Sequence, residues 1–115
     1  MFSDKTRRYF IADSKEALLT RFKERNQFIE KLPFGEVLFI IDEDTIYAIK
    51  NKCPHQGAAM EGCFIKDGRV VCPLHKYGFD LNHGRGHGLY LETYPIVIDN
   101  DGVYIERTYF SWFGE

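Results

Sequence analysis

The hydrophobic residues of this chain fall in short runs rich in β-branched and aromatic side chains, each ended by turn-forming residues. The runs cover residues 37–41, 46–49, 64–65, 70–71, 96–98 and 103–105. Runs of this length and composition are typical of β-strands. Asp67-Gly68 and Asp101-Gly102 separate two pairs of runs, and Asp-Gly favours tight hairpins because both residues tolerate a positive φ. The pattern therefore predicts a mostly antiparallel β-protein.

One segment near the N-terminus has helical rather than strand periodicity. Asp13 followed by Glu16 fits a capping box, and apolar residues follow at positions 17–19 and 22. We predict a short helix over about residues 14–22 and a strand near residues 28–32. Residues 82–88 contain three glycines, and this composition predicts an irregular loop.

Composition narrows the class of protein further. The chain has 115 residues, 44% of them hydrophobic, and a formal net charge of -2, which predicts a single domain over residues 1–115. The absence of a basic excess argues against a nucleic-acid partner. No apolar run approaches the roughly 18 residues of a membrane span, and charged residues interrupt the N-terminal segment where a secretory signal would be apolar. We therefore expect a cytoplasmic protein.

The cysteines carry the candidate chemistry. Cys53, Cys63 and Cys72 are too few and odd in number for a disulfide scaffold, which favours metal or redox chemistry. Residues 53–55 read C-x-H and residues 72–75 read C-x-x-H, with sixteen residues between the two motifs. Each motif places one thiolate and one imidazole close together, and a proline after each cysteine restricts its loop. Together the motifs predict a metal centre with Cys53, His55, Cys72 and His75 as candidate ligands.

With these two motifs, the chain resembles the Rieske iron–sulfur family, specifically the small Rieske ferredoxins. The resemblance continues through residues 47–49, 78–81, 94–98 and 102–104, and so covers about residues 35–107. It implies a [2Fe-2S] cluster with Cys53 and Cys72 on one iron and His55 and His75 on the other. It also implies an all-β Rieske (ISP-like) fold: an antiparallel β-sandwich base, a small cluster-binding subdomain at about residues 50–83, and one short helix.

The implied function is one-electron transfer from a reductase to an oxygenase or another redox acceptor, by a carrier that is not itself an enzyme. Respiratory-type Rieske proteins have extra cysteines where this chain has Ala58 and Leu74, so the disulfide between their cluster loops cannot form here. Where they have serine and tyrosine donors, this chain has Tyr77 and Phe79. Fewer hydrogen bonds to the cluster sulfurs predict a low-potential, ferredoxin-type cluster.

Two other functions are compatible with parts of the pattern. Two cysteines and two histidines also suit a structural zinc site, although zinc motifs usually contain C-x₂₋₄-C. A nitrite-reductase small-subunit-like or other Rieske-fold accessory subunit is the second alternative, and such subunits often lack the cluster ligands that this chain has.

The remaining candidate residues have structural interpretations as well as functional ones. We expect Cys63 to be a small buried hydrophobic residue, and His83 and His87 to be solvent-facing loop residues. Four cations at positions 50, 52, 76 and 85 either converge as a docking patch or are scattered surface charge. The aromatic tail at residues 109–113 either packs over the domain or forms a homodimer contact.

Overall fold

The computed structural model describes the backbone of residues 2–55, 57–73 and 77–112, and the side chains of those that lie within residues 6–108. Within these ranges the chain forms one helix and twelve strands. In chain order they are β1 (Phe2–Ala12), α1 (Lys15–Phe22), β2 (Gln27–Leu32), β3 (Gly35–Asp42), β4 (Thr45–Lys50), β5 (Phe64–Lys66), β6 (Arg69–Val71), β7 (Gly78–Asp80), β8 (Arg85–Gly86), β9 (Leu89–Tyr90), β10 (Thr93–Tyr94), β11 (Ile96–Asp99) and β12 (Gly102–Trp112).

The strands form four antiparallel sheets, which confirms the predicted all-β class. The terminal sheet has the order β1-β12-β11, and the central sheet has the order β10-β4-β3-β2. The site sheet has the order β5-β6-β7, and β8 and β9 form the site hairpin. Every pairing between strands in the described residues is antiparallel. We call the terminal and central sheets with α1 the base of the molecule.

The central sheet is buried on both faces, and β3 shows this most clearly. Val37, Leu38, Phe39 and Ile40 are all at most 1% exposed. Because successive side chains of a strand point to opposite faces, Val37 and Phe39 enter one core while Leu38 and Ile40 enter another. The base core comprises Ile11, Ala12, Leu18, Phe22, Val37, Phe39, Ala48, Tyr94, Val103 and Ile105. The site core comprises Leu38, Ile40, Ile49, Cys53, Met60, Cys63, Val70, Cys72, Phe79, Leu81 and Leu91.

The helix lies where the sequence predicts it, but a different residue caps it. Ser14 is the N-cap, and its Oγ accepts a hydrogen bond from the backbone N–H of Ala17 at 3.1 Å. The capping box predicted from Asp13 is therefore wrong by one residue. Starting the helix at Lys15 places Leu18 and Phe22 one turn apart on the buried face, where they contribute to the base core.

Two connections, between β11 and β12 and within residues 82–88, differ from what the sequence predicts. The hairpin between β11 and β12 exists, but Asp99 pairs with Gly102, so the turn residues are Asn100 and Asp101 rather than Asp101 and Gly102. The segment 82–88 is not wholly irregular, because β8 and β9 pair across it. In contrast, Asp67 and Gly68 both have positive φ between β5 and β6, as predicted.

The N-terminal strand β1 is the largest element that the sequence analysis did not predict. It pairs with β12 from Phe2 opposite Trp112 to Ala12 opposite Val103, with a register shift between Phe10 and Ala12. The predicted tail contact is not tested, since the backbone of residues 109–112 completes β12 while their side chains and Phe113 lie outside the described part. In the described residues, no helix has the length and apolar character needed to cross a membrane.

Candidate metal centre

The first predicted motif forms a short loop directly after the central sheet. Cys53 follows β4 and is 1% exposed. Its backbone N–H donates to the carbonyl of Ala58 at 2.6 Å, and the N–H of Gly57 donates to the carbonyl of Cys53 at 2.7 Å. Gly57 has a φ of 76°, which favours glycine. These bonds fix a buried thiol at the start of a closed loop; Gln56 lies outside the described residues.

The second motif lies in the connection between β6 and β7 of the site sheet. Cys72 follows β6 and is fully buried, and its backbone N–H donates to the carbonyl of Tyr77 at 2.8 Å. The residues between the ends of this loop include the predicted ligand His75, which lies outside the described residues together with Leu74 and Lys76. The structure therefore places the two predicted cysteines in one core and leaves His75 a prediction from sequence.

The described histidine of the ligand set lies against an aromatic side chain of the second loop. His55 is half-buried, and its Nδ1 is shielded from solvent. Its ring centroid lies 4.3 Å from that of Tyr77, so this contact joins the first loop to the second. Tyr77 in turn stacks on His87, with ring centroids 4.6 Å apart and planes 25° apart.

The other two histidines are exposed, as the sequence analysis expects, but both make specific contacts. His87 accepts a hydrogen bond at Nε2 from the backbone N–H of Gly78 at 3.3 Å. His83 Nδ1 lies 3.2 Å from Asp80 Oδ1. Asp80 also accepts hydrogen bonds from the backbone N–H groups of Asn82 and His83, and these bonds, with that of Asn82 foremost, lower the pKa of its carboxyl group.

The third cysteine is buried beside the candidate ligands. Cys63 is 4% exposed, and burial in the site core raises the pKa of its thiol to about 12. Its surroundings include Cys72, which raises that pKa further, and the side chain of Gln27. Gln27 Nε2 donates to the carbonyl of Cys63 at 2.6 Å, and its Oε1 accepts from the N–H of Gly62 at 2.9 Å. The prediction of Cys63 as a buried residue is confirmed.

The bridging role of Gln27 is a feature that sequence reasoning missed. Nothing in its surroundings in the sequence signals it, because its partners lie 35 and 36 residues away in the chain. The side chain connects β2 of the base to the turn that precedes β5. It therefore holds the wall of the site core in place.

The donor set fits a cluster that divides its ligands between two metals. Cys53, Cys63 and Cys72 are all outside disulfides, so none of the three sulfur atoms is taken up by a disulfide bond. Among the described side chains, no three of the His, Cys, Asp and Glu residues converge as a group that could hold one metal ion. A binuclear [2Fe-2S] centre of the mixed type takes two cysteines on one iron and two histidines on the other, so it needs no such trio. Buried thiols next to a half-buried imidazole are compatible with that chemistry.

Comparison with known proteins decides the family. Residues 11–93 match the Rieske [2Fe-2S] domain family. The chain belongs to this family. Among Rieske relatives, it is 33% identical over 92 residues to the 3-phenylpropionate/cinnamic acid dioxygenase ferredoxin subunit of Shigella flexneri serotype 5b (strain 8401). That alignment covers 68% of this chain and 87% of the relative.

Two further similarities extend the comparison. The chain is 33% identical over 108 residues to apoptosis-inducing factor 3 of Homo sapiens, covering 84% of this chain but only 17% of the human protein. In structure it resembles the ferredoxin of carbazole 1,9a-dioxygenase from Nocardioides aromaticivorans IC177, with a TM-score of 0.67 and 24% identity. This match covers 85% of this chain and 95% of the ferredoxin, and at such identity it shows the Rieske fold alone.

Proposed function

We propose that this chain is a one-electron carrier that holds a [2Fe-2S] cluster through Cys53 and Cys72 on one iron and His55 and His75 on the other. The observation that carries the proposal is that two loops, each closed by its own backbone hydrogen bonds, place the thiol groups of Cys53 and Cys72 in one buried core and outside any disulfide. The match to most of a dioxygenase ferredoxin subunit supports the same role.

When bound, the cluster supplies one-electron redox chemistry, and the chain controls its surroundings. The site core excludes water from the cysteine side, because Met60, Val70 and Phe79 are at most 1% exposed. The half-buried His55 side is the more open one, and this is where an electron would leave or enter. The similarity to a ferredoxin subunit supports the role of an electron-transfer component rather than an enzyme.

The residues around the centre favour a low reduction potential. Replacing two thiolates by two neutral imidazoles raises the potential of a [2Fe-2S] centre from about −400 mV into the range of about −150 to +300 mV. Phe79 is fully buried in the site core and carries no hydroxyl group that could donate to sulfur. Ala58 leaves no cysteine for a disulfide between the loops. We therefore expect a potential on the order of −150 mV.

The proposed partners are a reductase as donor and an oxygenase or other redox protein as acceptor, in the cytoplasm. We also propose that the cluster-binding subdomain extends beyond the expected residues 50–83 to residue 91. Leu91 belongs to the site core, and its backbone N–H donates to the carbonyl of Gly84 at 2.6 Å. The site hairpin therefore packs with the two loops as one unit.

Metal and sulfide analysis of anaerobically purified protein tests the proposal. We expect two irons and two labile sulfides per chain and, after reduction, a rhombic EPR signal of low average g-value. One zinc per chain without visible absorbance would instead identify a structural zinc module. Folded protein with neither metal would favour the accessory-subunit alternative.

A further inference from the structure

A groove borders the first loop and joins the candidate centre to the molecular surface. Its volume is about 360 Å³, and its lining residues are Lys50, Lys52, Cys53, Pro54, Gly57, Tyr90 and Glu92. Lys52 reaches along the loop, because a Cβ atom built on Gly57 would lie 3.2 Å from Lys52 Cε. The side chain of Tyr90 stands at the groove and is 56% exposed.

A third cation lies on the same side as Tyr90. Arg85 on β8 pairs with Tyr90 on β9, and directly opposed residues of an antiparallel pair project from the same face. Lys50, Lys52 and Arg85 are all exposed, and none forms an ion pair within the part of the chain that the structure describes. We call these three cations with Tyr90 the basic patch.

The carboxylates Glu92, Glu36 and Glu61 lie near the basic patch, and Glu61 is placed there by its backbone N–H, which donates to Asn51 Oδ1 at 2.9 Å. Glu92 Oε2 lies 3.5 Å from Arg107 Nε, which offsets its charge. Glu36 Oε1 accepts a hydrogen bond from Asn51 Nδ2 at 3.0 Å. Glu36 and Glu61 keep their charges, but the three cations outnumber them, so the local charge beside the first loop is positive although the whole chain has a formal net charge of -2.

We propose that the basic patch is the docking surface for an acidic face of the redox partner protein, with Tyr90 packing at its centre. This inference rests on the proposed electron-transfer function and adds the chemistry of the partner. An exposed aromatic side chain beside cations that form no ion pair among the described residues is suited to a transient contact with carboxylates. Its position beside the first loop, which also carries His55, brings the partner to the candidate centre.

Small redox ions test the local charge without requiring the natural partner. The protein is reduced with dithionite, desalted, and mixed in a stopped-flow instrument with hexacyanoferrate(III), which takes one electron from the protein and becomes hexacyanoferrate(II). A net-negative protein should react faster with this anion as salt is added, whereas a local positive patch predicts the reverse. We expect the rate constant for oxidation by hexacyanoferrate(III) to fall as the ionic strength rises. The rate constant for oxidation by the cation hexaammineruthenium(III) should rise.

Charge reversals with a matched control locate the effect. Lys52→Glu and Arg85→Glu should each slow oxidation by hexacyanoferrate(III) by about tenfold at low salt. Lys15→Glu changes the net charge equally, but it lies on α1, which packs on the base. It should change the rate constant less than about twofold. Equal effects of all three substitutions, or a rate that rises with salt in the wild type, would overturn the proposal.

A redox-inert ion gives an independent readout. The paramagnetic anion hexacyanochromate(III) should broaden the backbone amide NMR signals of Tyr90 and Lys50 before those of α1, and Lys52→Glu should abolish this preference. Uniform broadening would contradict the patch. If the wild type bound a labelled oligonucleotide at physiological salt and Lys52→Glu removed this binding, the surface would be assigned to nucleic acid and the proposal would be overturned. Absence of iron and sulfide would instead count against the proposed function alone.

Discussion

The base and the site region of this chain use the same antiparallel pairing, but apart from the two-residue β10 at one edge the strands of the base are longer. In the base, β1 and β12 have 11 residues each, and β3 has 8. In the site sheet and the site hairpin, the strands have 3 or 2 residues. Short strands contribute few ladder hydrogen bonds, so the site region depends more on its turns, its loops and the shared site core.

The backbone conformations show the same contrast. Among the described residues, positive φ values cluster between Gly57 and Gly88, where loops must reverse within two or three residues. The base has fewer of them for a larger number of residues. A scaffold of long strands therefore carries a region whose geometry depends on individual glycines and ligands, and that region should be more sensitive to single substitutions.

The largest expected effect concerns the ligands themselves. Cys53→Ser, Cys72→Ser, His55→Ala and His75→Ala should each lose most or all of the cluster. Cys63→Ser should keep it, because Cys63 is a protonated thiol held by burial and by Gln27. Iron content and the visible spectrum of each purified variant measure this. If Cys63→Ser protein were colourless and Cys53→Ser protein kept its normal iron content, the assignment of Cys53 rather than Cys63 as a ligand would be reversed.

The next largest effect is on stability, and it should differ between alanine substitutions at two glycines of similar φ in the site region. Gly84 has a φ of 73° and Gly88 a φ of 74°. A Cβ atom on Gly84 would collide with the backbone carbonyl of Leu91, whereas around Gly88 the space is open. Gly88→Ala should cost about 1 kcal/mol of unfolding free energy from backbone strain alone. Gly84→Ala should cost about 3 kcal/mol or more, because backbone must also move.

Denaturant unfolding of both variants, followed by circular dichroism and by loss of visible absorbance, measures these costs. If the site region is the more fragile part, Gly84→Ala should lose the cluster before the base unfolds. Coincident loss of both signals in Gly84→Ala would show that the base and the site region unfold as one unit. Equal costs for the two variants would contradict the predicted collision.

The same contrast explains which parts of the fold the sequence could predict. Strand β3 is recognisable because both its faces are buried and its apolar run is continuous, and Asp67-Gly68 is recognisable because both residues favour a positive φ. Strand β1 is not recognisable from the sequence. Its residues Arg7 and Arg8 are exposed, and it is an edge strand whose partner lies about a hundred residues away in the chain. Its pairing is a tertiary property that no local pattern records.

In the candidate site, sequence predicted chemistry better than geometry. The cysteines and histidines stand out because their spacing is specific, and Cys53 and Cys72 do lie in one core. The stacking of His87 on Tyr77 and the bridge from Gln27 depend on how separate elements pack. The hairpin at residues 85–90 was missed because glycines that suggest irregular backbone also permit a tight turn and a close approach to Gly78.

A smaller effect is expected on the reduction potential, and it can be tested by substituting two fully buried phenylalanines, one in each core. Phe79→Tyr places a phenolic donor in the core that contains Cys53 and Cys72. We expect the reduction potential to rise by about 30 mV, equivalent to about 0.7 kcal/mol for one electron. Phe39→Tyr buries a hydroxyl group in the base core, where no candidate ligand lies, and should lower stability without changing the potential. Protein-film voltammetry of the wild type and both variants measures the reduction potentials, and denaturant unfolding measures their stabilities. Equal shifts of the potential in the two variants would show that the position of the donor is immaterial.

The smallest expected effect concerns Asp80, at the end of the site sheet. The backbone N–H groups of Asn82 and His83 donate to Asp80 Oδ1 at 2.7 and 3.0 Å and lower the pKa of the carboxyl group. A group whose pKa is lowered in the folded state stabilises the fold above its unfolded pKa, and this contribution is lost as the pH falls through its folded pKa. Asp80→Asn should therefore lower the thermal midpoint at neutral pH, and the difference from the wild type should shrink in acid. The effect should be small because the carboxyl group is exposed and screened by solvent.

Thermal unfolding of the wild type and of Asp80→Asn from about pH 7 to about pH 3 measures this difference in thermal midpoint. A difference that stays constant or grows in acid would show that the charge of Asp80 does not stabilise the turn. Equal midpoints at neutral pH would show that the turn relies on hydrogen bonds that asparagine also provides.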